Sequence, residues 1–385
     1  MTHPVRRGGC AIVGVAESDI GEVAAGMSPL DLMAQATQRA LADCGLKLSD
    51  IDGVFATTSQ SRMPTLALCE YLGLQPRYHD GTNIGGSSFM SMIAHAQAAI
   101  AAGLCDVALI AYGSTQRSMG RSNVAAPDIN PYEAPYRPIY TGSSYALAAS
   151  RHMHEFGTTR EQLAQIAVAA RDWALLNPKA WEKKPLTVAE VLSARVLSSP
   201  LTVRDCCLVT DGGGALILCS AQRAAHLKSR PAFVLGTGEA LSHLNISQMP
   251  DLTTTAAVRS GAAAYAMAGL RPSEIDVVEV YDAFTITTLM FLEDLGFCPK
   301  GEGGRLVADG AVAPGGRLPV NTNGGGLSYC HPGMYGVFVL IEAVRQIRGE
   351  AGKRQVPNCA TAIAHGNGGT LSSQSTVILG NASTV

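Results

Sequence analysis

One stretch of this chain occurs twice, and that repeat constrains the fold more than any other feature. Gly45 opens GLKLSDIDGVFATT and Gly269 opens GLRPSEIDVVEVYD. Gly45, Leu46, Ser49, Ile51, Asp52 and Val54 fall opposite Gly269, Leu270, Ser273, Ile275, Asp276 and Val278 without a gap. Two further matches keep the order. Gly85–Gly86–Ser87–Ser88 opens an Ala-rich helical pattern and then a strand over 106–112. Gly324–Gly325–Gly326 precedes a helical pattern over 333–349 and a strand near 359–364. Each half closes on a Gly-rich loop and a strand, 212–219 and 368–380. Three matches in one order point to a duplicated α/β unit. The boundaries are residues 1–225 and 230–385.

The local signals agree. CAIVGV from Cys10 reads as a buried strand, and Ser28 before Pro29 reads as the N-cap of a helix ending near Gly45. Between about 116 and 203 lies an insertion without a counterpart in the second half. It has a Pro-rich start, helical patterns over 145–156 and 159–176, both Trp residues (Trp173 and Trp181) and a basic stretch at Lys179, Lys183 and Lys184. An insertion this long is usually functional, and it reads as a helical cap over the active site.

Composition removes several classes. The 385 residues are 47% hydrophobic and only 16% charged, against about 25% charged in an average domain. That balance suits a sheet covered on both faces and a large subunit interface. A net charge of −2 gives no electrostatic footprint for nucleic acid. The most apolar stretch, 94–112, is broken by His95, Gln97 and Asp106, so no membrane span is expected. The N-terminus reads as no signal peptide. Ten scattered Cys without a CxxC pair argue against a disulfide framework or a zinc site and fit a reducing cytoplasm. His152 and His154 do not share a helix face, so no metal site is expected. No GxGxxG or P-loop stands in the required context.

Ligands in open α/β sheets collect beyond the carboxyl ends of strands. Four loops qualify: 82–89, 280–284, 321–333 and 365–370. Together with RHMHEFGTTREQLAQIAV from Arg151, RDCCLVTDGGGALIL from Arg204, VEVYDAFT from Val278, GGGLSYCHPG from Gly324 and AIAHGNGG from Ala362, they resemble the thiolase superfamily. The resemblance covers nearly the whole chain and is closest to sterol-carrier-protein-type, thiolase-like proteins. It implies a duplicated thiolase fold of two βαβαβαββ halves in five layers, α-β-α-β-α.

The departures from that family carry the functional reading. The position of the thiolase nucleophilic Cys is Gly86, followed by Ser87 and Ser88, with no Cys nearer than Cys69 and Cys105. Without a thiolate, ordinary thiolysis has no acyl-enzyme. A serine nucleophile at 87 or 88 is the sharp alternative, and a hydroxyl capping the following helix is the bland one. The Gly-His-Pro motif reads Cys330–His331–Pro332, which puts His331 at the catalytic histidine position. The Asn-Glu-Ala-Phe loop reads Tyr281–Asp282–Ala283–Phe284, and the C-terminal catalytic Cys is His365, followed by Gly366 and Asn367. Both family cysteines are gone, and Tyr281 and Tyr329 stand in the pocket loops.

The resemblance extends to the thiolase-like aldolases of steroid side-chain degradation. It implies a carbon–carbon lyase that splits a β-hydroxyacyl-CoA by retro-aldol cleavage. Tyr281 and Tyr329 would be the acid–base pair, and His331, His365 and backbone N–H groups near Gly86 and Asn367 would hold the thioester enolate. Gly86, Ser87, Asp282 and Asn367 are the substrate-binding candidates. CoA enters as part of the substrate, with no covalently bound cofactor. The implied partners are a second copy of the chain and a small acyl-CoA-binding protein made of a zinc ribbon and an OB-fold. An acyltransferase and a non-catalytic acyl-CoA or lipid carrier are the alternatives.

Overall fold

Alternate residues of single strands face two different hydrophobic layers. On the strand Val107–Ser114, Val107, Leu109 and Ala111 join one apolar cluster, while Ala108, Ile110 and Tyr112 join another. A period of two with both faces apolar defines a sheet covered on both sides. The computed structural model describes residues 5–120, 130–139 and 141–385. Residues 121–129 and 140 of the insertion, including the first residues of its Pro-rich start, lie outside the described residues.

The first half runs β1 (Cys10–Glu17), α1 (Pro29–Cys44), β2 (Gly53–Thr57), α2 (Pro64–Leu72), β3 (Tyr78–Asp80), α3 (Ser88–Ala101) and β4 (Val107–Ser114). The insertion follows with α4 (Gly142–Phe156), α5 (Arg160–Leu175), α6 (Val188–Leu192) and the short strands β5 (Val196–Ser198) and β6 (Leu201–Thr202). β7 (Gly212–Ser220) and α7 (Ala221–Ala224) close this half. The second half runs β8 (Ala232–Leu241), α8 (Ala257–Ala268), β9 (Val277–Val280), α9 (Thr285–Asp294), α10 (Gly303–Ala308), α11 (Gly336–Arg348), β10 (Thr361–Gly368) and β11 (Ser373–Gly380).

The halves share one topology. Strand order is β3-β2-β4-β7-β1 in the first and β9-β10-β11-β8 in the second. β2 lies parallel to β4 as β9 does to β10, β3 adds a further parallel strand beside β2, and the other pairs within each half are antiparallel. At the place of β3, the second half has a single parallel bridge from Val278 to Val320. The repeated Asp has one job in both copies. Asp52 accepts the backbone N–H of Asp106 and Val107, each at 2.8 Å, and Asp276 accepts those of Ala360 and Thr361 at 2.8 and 2.9 Å. Each carboxylate thereby fixes the start of the neighbouring parallel strand.

α3 and α11 each pack on strands of both halves and form the central layer. α1 covers β1, β4 and β7 on one outer face, and α8 covers β8 and β11 on the other. This is the five-layer thiolase arrangement. The two half-sheets also meet directly where Ala11 and Ile12 pair with Phe233 and Ala232. α1 begins as its sequence requires: Ser28 Oγ accepts from Asp31 N, and the Asp31 carboxylate accepts from Ser28 N. Some of the Gly excess serves helix–sheet contact rather than loops. A Cβ on Gly238 would come within 3.0 Å of the Ala264 nitrogen of α8.

Two boundaries move, with consequences for the site. The helix expected from 333 starts at Gly336, because Met334 N bonds the Tyr112 hydroxyl at 2.9 Å instead of a helical carbonyl. The expected loop 365–370 is strand as far as Gly368, since His365 pairs with Thr376 and Asn367 with Gln374 in the β10–β11 ladder. His365 and Asn367 therefore stand on a fully paired strand.

Candidate active site

The loop before α3 brings its backbone against the second half. Gly85, at φ +79°, lies so close to Gly368 that a Cβ would sit 2.7 Å from the Gly368 Cα. Gly86 follows, and the ring of Tyr281 lies directly over it. A Cβ on Gly86 would overlap Cε2 of Tyr281 and come within 2.7 Å of both its Cδ2 and the Asn367 carbonyl oxygen. The space a nucleophile's side chain would need at this position is filled by the Tyr281 ring.

The adjacent serines do not face that space. Ser87 Oγ donates to Ile84 O at 3.0 Å and lies 2.8 Å from Ser373 Oγ. Ser88 Oγ donates to Gly85 O at 2.6 Å and accepts from Ile84 N at 2.9 Å. Both are fully buried, and neither has an imidazole or carboxylate on its hydroxyl. This corrects two expectations: the Ser87 side chain is not turned to substrate, and its hydroxyl does not cap α3.

Tyr281 follows β9. Its hydroxyl lies 2.8 Å from His331 Nε2 and 3.3 Å from Gly333 O. Its ring makes edge contacts with His331 and Tyr335. His331 is tied down at its backbone by Thr210, which accepts from His331 N at 3.0 Å and donates its own N–H to His331 O at 3.2 Å. Burial pushes the imidazole down to about 4, so it is neutral at neutral pH. Burial also pushes the Tyr281 phenol well above its usual value, and that phenol keeps its proton. A proton can pass between a neutral imidazole and the phenol beside it without a change in the net charge of the pair.

Asp282 turns away from Tyr281 and builds the loop that carries His331. Its carboxylate accepts Gly326 N at 2.6 Å and Leu327 N at 3.2 Å, at the start of the π-type turn Gly325–Tyr329. Gly325, at φ +65°, lies so close that a Cβ would overlap that carboxylate. Asp282 is thus a loop anchor, which corrects its assignment as a substrate-binding group. Burial pushes it up to about 7.

Tyr281 and Tyr329 do not share a hydrogen bond. The Tyr329 hydroxyl donates to Glu17 Oε1 at 2.8 Å, and its ring is linked to that of Tyr281 through Phe338 and Tyr335. Glu17 ends β1 and also holds Arg345 and Lys179. Burial pushes the Glu17 carboxyl up, but the two cations outweigh it and hold the group ionised.

His365 is fully committed to the protein. Nδ1 lies 2.9 Å from Thr376 Oγ1 and Nε2 lies 2.9 Å from Gln374 Oε1. With both ring nitrogens engaged, it does not hold an enolate, contrary to the sequence expectation. Its carbonyl instead accepts Tyr281 N at 3.0 Å and sets that residue's backbone. Gln374 continues the chain to Asn367 Oδ1 at 2.8 Å, and Asn367 Nδ2 donates to the Tyr145 hydroxyl at 3.0 Å.

The insertion buttresses the same loops. Trp181 N and Glu182 N donate to Tyr329 O and Ser328 O at 2.9 and 3.1 Å. Arg171 Nε reaches Ser328 Oγ at 3.0 Å, and Tyr145 stacks on Phe284 at 4.3 Å. Glu17, Tyr145 and Tyr335 escaped the sequence reading. Glu17 had a signal, since an acidic residue ends the apolar strand that opens at Cys10. Tyr145 had none beyond its place in a helical pattern. The thiols beside the centre, Cys207 and Cys330, are pushed up by burial and are poor nucleophiles. Among the described residues no cluster of His, Cys, Asp and Glu could hold a metal ion, and no helix is long and apolar enough to cross a membrane.

A duplicated five-layer fold, with a histidine loop over a glycine at the head of a central helix, defines a thiolase-like protein whose nucleophile position is taken by a tyrosine ring. Residues 238–381 match the family model "Thiolase C-terminal domain-like". The acetyl-CoA acetyltransferase of Methanothermobacter thermautotrophicus is 34% identical over 94% of this chain and 96% of its own length. The 17-hydroxy-3-oxo-4-pregnene-20-carboxyl-CoA lyase of Mycobacterium tuberculosis is 34% identical over 89% and 92%. The solved Ltp2-ChsH2(DUF35) aldolase superposes with a TM-score of 0.88 at 30% identity, covering 98% of this chain and 99% of that one. The chain belongs to the thiolase superfamily.

Proposed function

We propose that this thiolase-superfamily enzyme is a carbon–carbon lyase that cleaves a bulky β-hydroxyacyl-CoA by a retro-aldol reaction. One observation carries the reading: the Tyr281 ring fills the space over Gly86, so chemistry proceeds without an acyl-enzyme. The likeness to a steroid-CoA lyase and to a DUF35-bound aldolase supports the same class. The substrate's tertiary hydroxyl loses its proton, its C–O bond becomes a ketone, and the Cα–Cβ pair becomes the thioester enolate. A proton delivered to Cα then releases a shorter acyl-CoA, such as propionyl- or acetyl-CoA. Tyr281 and Tyr329 supply the two proton transfers, and His331 partners Tyr281. The His331 imidazole and backbone N–H groups near Gly86 stabilise the enolate. CoA is a part of the substrate only. A second copy of the chain and a DUF35-type partner of zinc-ribbon and OB-fold build complete the complex.

The test is product analysis by mass spectrometry with a panel of tertiary β-hydroxyacyl-CoA esters, the partner co-expressed. Ketone and short acyl-CoA should appear without added free CoA. Tyr281→Phe and Tyr329→Phe should each lower kcat by about 10²–10⁴-fold, the usual worth of a positioned acid or base. Full activity in both variants would sink the assignment, and a covalent acyl adduct by intact mass would favour an acyltransferase.

A further inference from the structure

Three other parts of the chain converge on the Glu17 carboxylate. Glu17 ends β1 of the first half and is 2% exposed. Arg345, from α11 of the second half, grips it with both Nη atoms of its guanidinium, Nη2 lying 2.6 Å from Oε2. Lys179, from the insertion, places Nζ 3.0 Å from Oε2. Tyr329 donates to Oε1 at 2.8 Å. The carboxylate thus holds two cations and one phenol at once. Lys179 differs from the rest: its side chain is 55% exposed and reaches solvent.

We propose that Glu17 is the positioning residue for Tyr329: it fixes the phenol as a proton-bearing group and links it through Lys179 to solvent, which makes Tyr329 the acid of the pair. This rests on the retro-aldol reading above. Tyr281, whose partner is a neutral imidazole, is then the base. The substrate hydroxyl proton moves to Tyr281 Oη as the Tyr281 proton moves to His331 Nε2, with His331 in the tautomer that carries its hydrogen on Nδ1. The Cα–Cβ pair passes to the enolate, and Cα takes the Tyr329 proton. The Tyr329 phenolate is reprotonated from the Lys179 ammonium across the Glu17 carboxylate. Lys179 is recharged from water, and His331 returns its proton to water.

The electrostatics agree. Burial, and then Glu17, hold the Tyr329 phenol well above its usual value, while Arg345 opposes them. The other titratable neighbours coupled to this cluster are Cys330, Tyr335, Arg354, Glu342, which acts on Arg345, and Asp19, which interacts with Lys179.

Kinetics of the partner-bound enzyme decide it. Glu17→Gln keeps the shape and removes the charge. It should lower kcat at least tenfold with KM within twofold, and should move the alkaline limb of kcat to lower pH, with tyrosinate absorbance at 295 nm shifting alongside. Glu17→Asp should recover part of kcat. Lys179→Met, at a side chain that is 55% exposed, should lower kcat without moving that limb downward. In a Tyr329→Phe background neither change should cost more activity, because the pathway is already cut. If Tyr329→Phe is impaired while Glu17→Gln and Lys179→Met keep native kcat and pH limb, the role of Glu17 is overturned and the retro-aldol reading stands. If Tyr329→Phe is fully active, the reading of Tyr329 falls and this inference with it.

Discussion

The ring of Tyr281 occupies the volume that a side chain on Gly86 would need, with the would-be Cβ 2.7 Å from Cδ2 of the ring. The two residues are mutually exclusive with a nucleophile at 86. Gly86→Cys should therefore lower the melting temperature, since overpacking a tight site costs about 1–3 kcal/mol. Adding Tyr281→Ala to Gly86→Cys removes the overlap and should recover part of the loss. Differential scanning fluorimetry reads both, and an unchanged melting temperature in the single variant would contradict the packing argument.

Asp282 predicts a pH dependence of stability. Its folded value, pushed up to about 7 by burial, lies above the 3.8 of a free Asp carboxyl. Between about pH 4 and 7 the unfolded chain has released this proton and the folded chain has kept it. The contribution is therefore full below pH 4 and is lost as pH rises through 7, by at most about 1.4 kcal/mol per unit. Urea midpoints across this window should show a smaller decline in Asp282→Asn, which cannot titrate. A slope identical to that of the native chain would rule the assignment out.

Asp205 ties the insertion to the site. It pairs with Arg160 of α5 through both oxygens, at 3.0 and 2.7 Å, and accepts from Thr285 at the start of α9 at 2.8 Å. Asp205→Ala strands a largely buried guanidinium and should cost about 3–5 kcal/mol. Chemical denaturation measures it, and a loss below about 1 kcal/mol would mean that the clamp is dispensable.

His95 of α3 bridges the two halves. Glu239 of β8 and Asp80 of β3 flank it and push its imidazole up to about 9. Because the folded value exceeds the ordinary 6.5, its contribution is complete below pH 6.5 and disappears as pH rises through 9. The ring is more than a third exposed, so solvent screens the effect and the shift should be modest. His95→Gln should flatten the stability curve between pH 7 and 9.5. A curve that still falls as steeply would assign the dependence to other groups.

Much of the architecture was legible from residue patterns because the signals were local or repeated. Asp52 and Asp276 stand at matched places in the repeat and perform the same capping of a neighbouring strand. Ser28, Pro29 and Asp31 start α1 as their capping chemistry requires. The end of β10 was misread because Gly366, Asn367 and Gly368 carry loop chemistry, and only the antiparallel pairing to β11 holds them extended.

The site divides along the same line. The sequence by itself determined which residues stand at the strand ends: no cysteine at 86, and tyrosines at 281 and 329. Spacing along one chain cannot tell where a side chain points once two halves close on each other. Tertiary packing decided that Tyr281 covers Gly86, that Asp282 and His365 spend their polar atoms on the protein, and that Tyr329 meets Glu17 across 312 residues of chain. The physical reason is burial. Each of these polar groups left water and had to take whatever partner the opposite half presented, and that partner is written nowhere near it in the sequence.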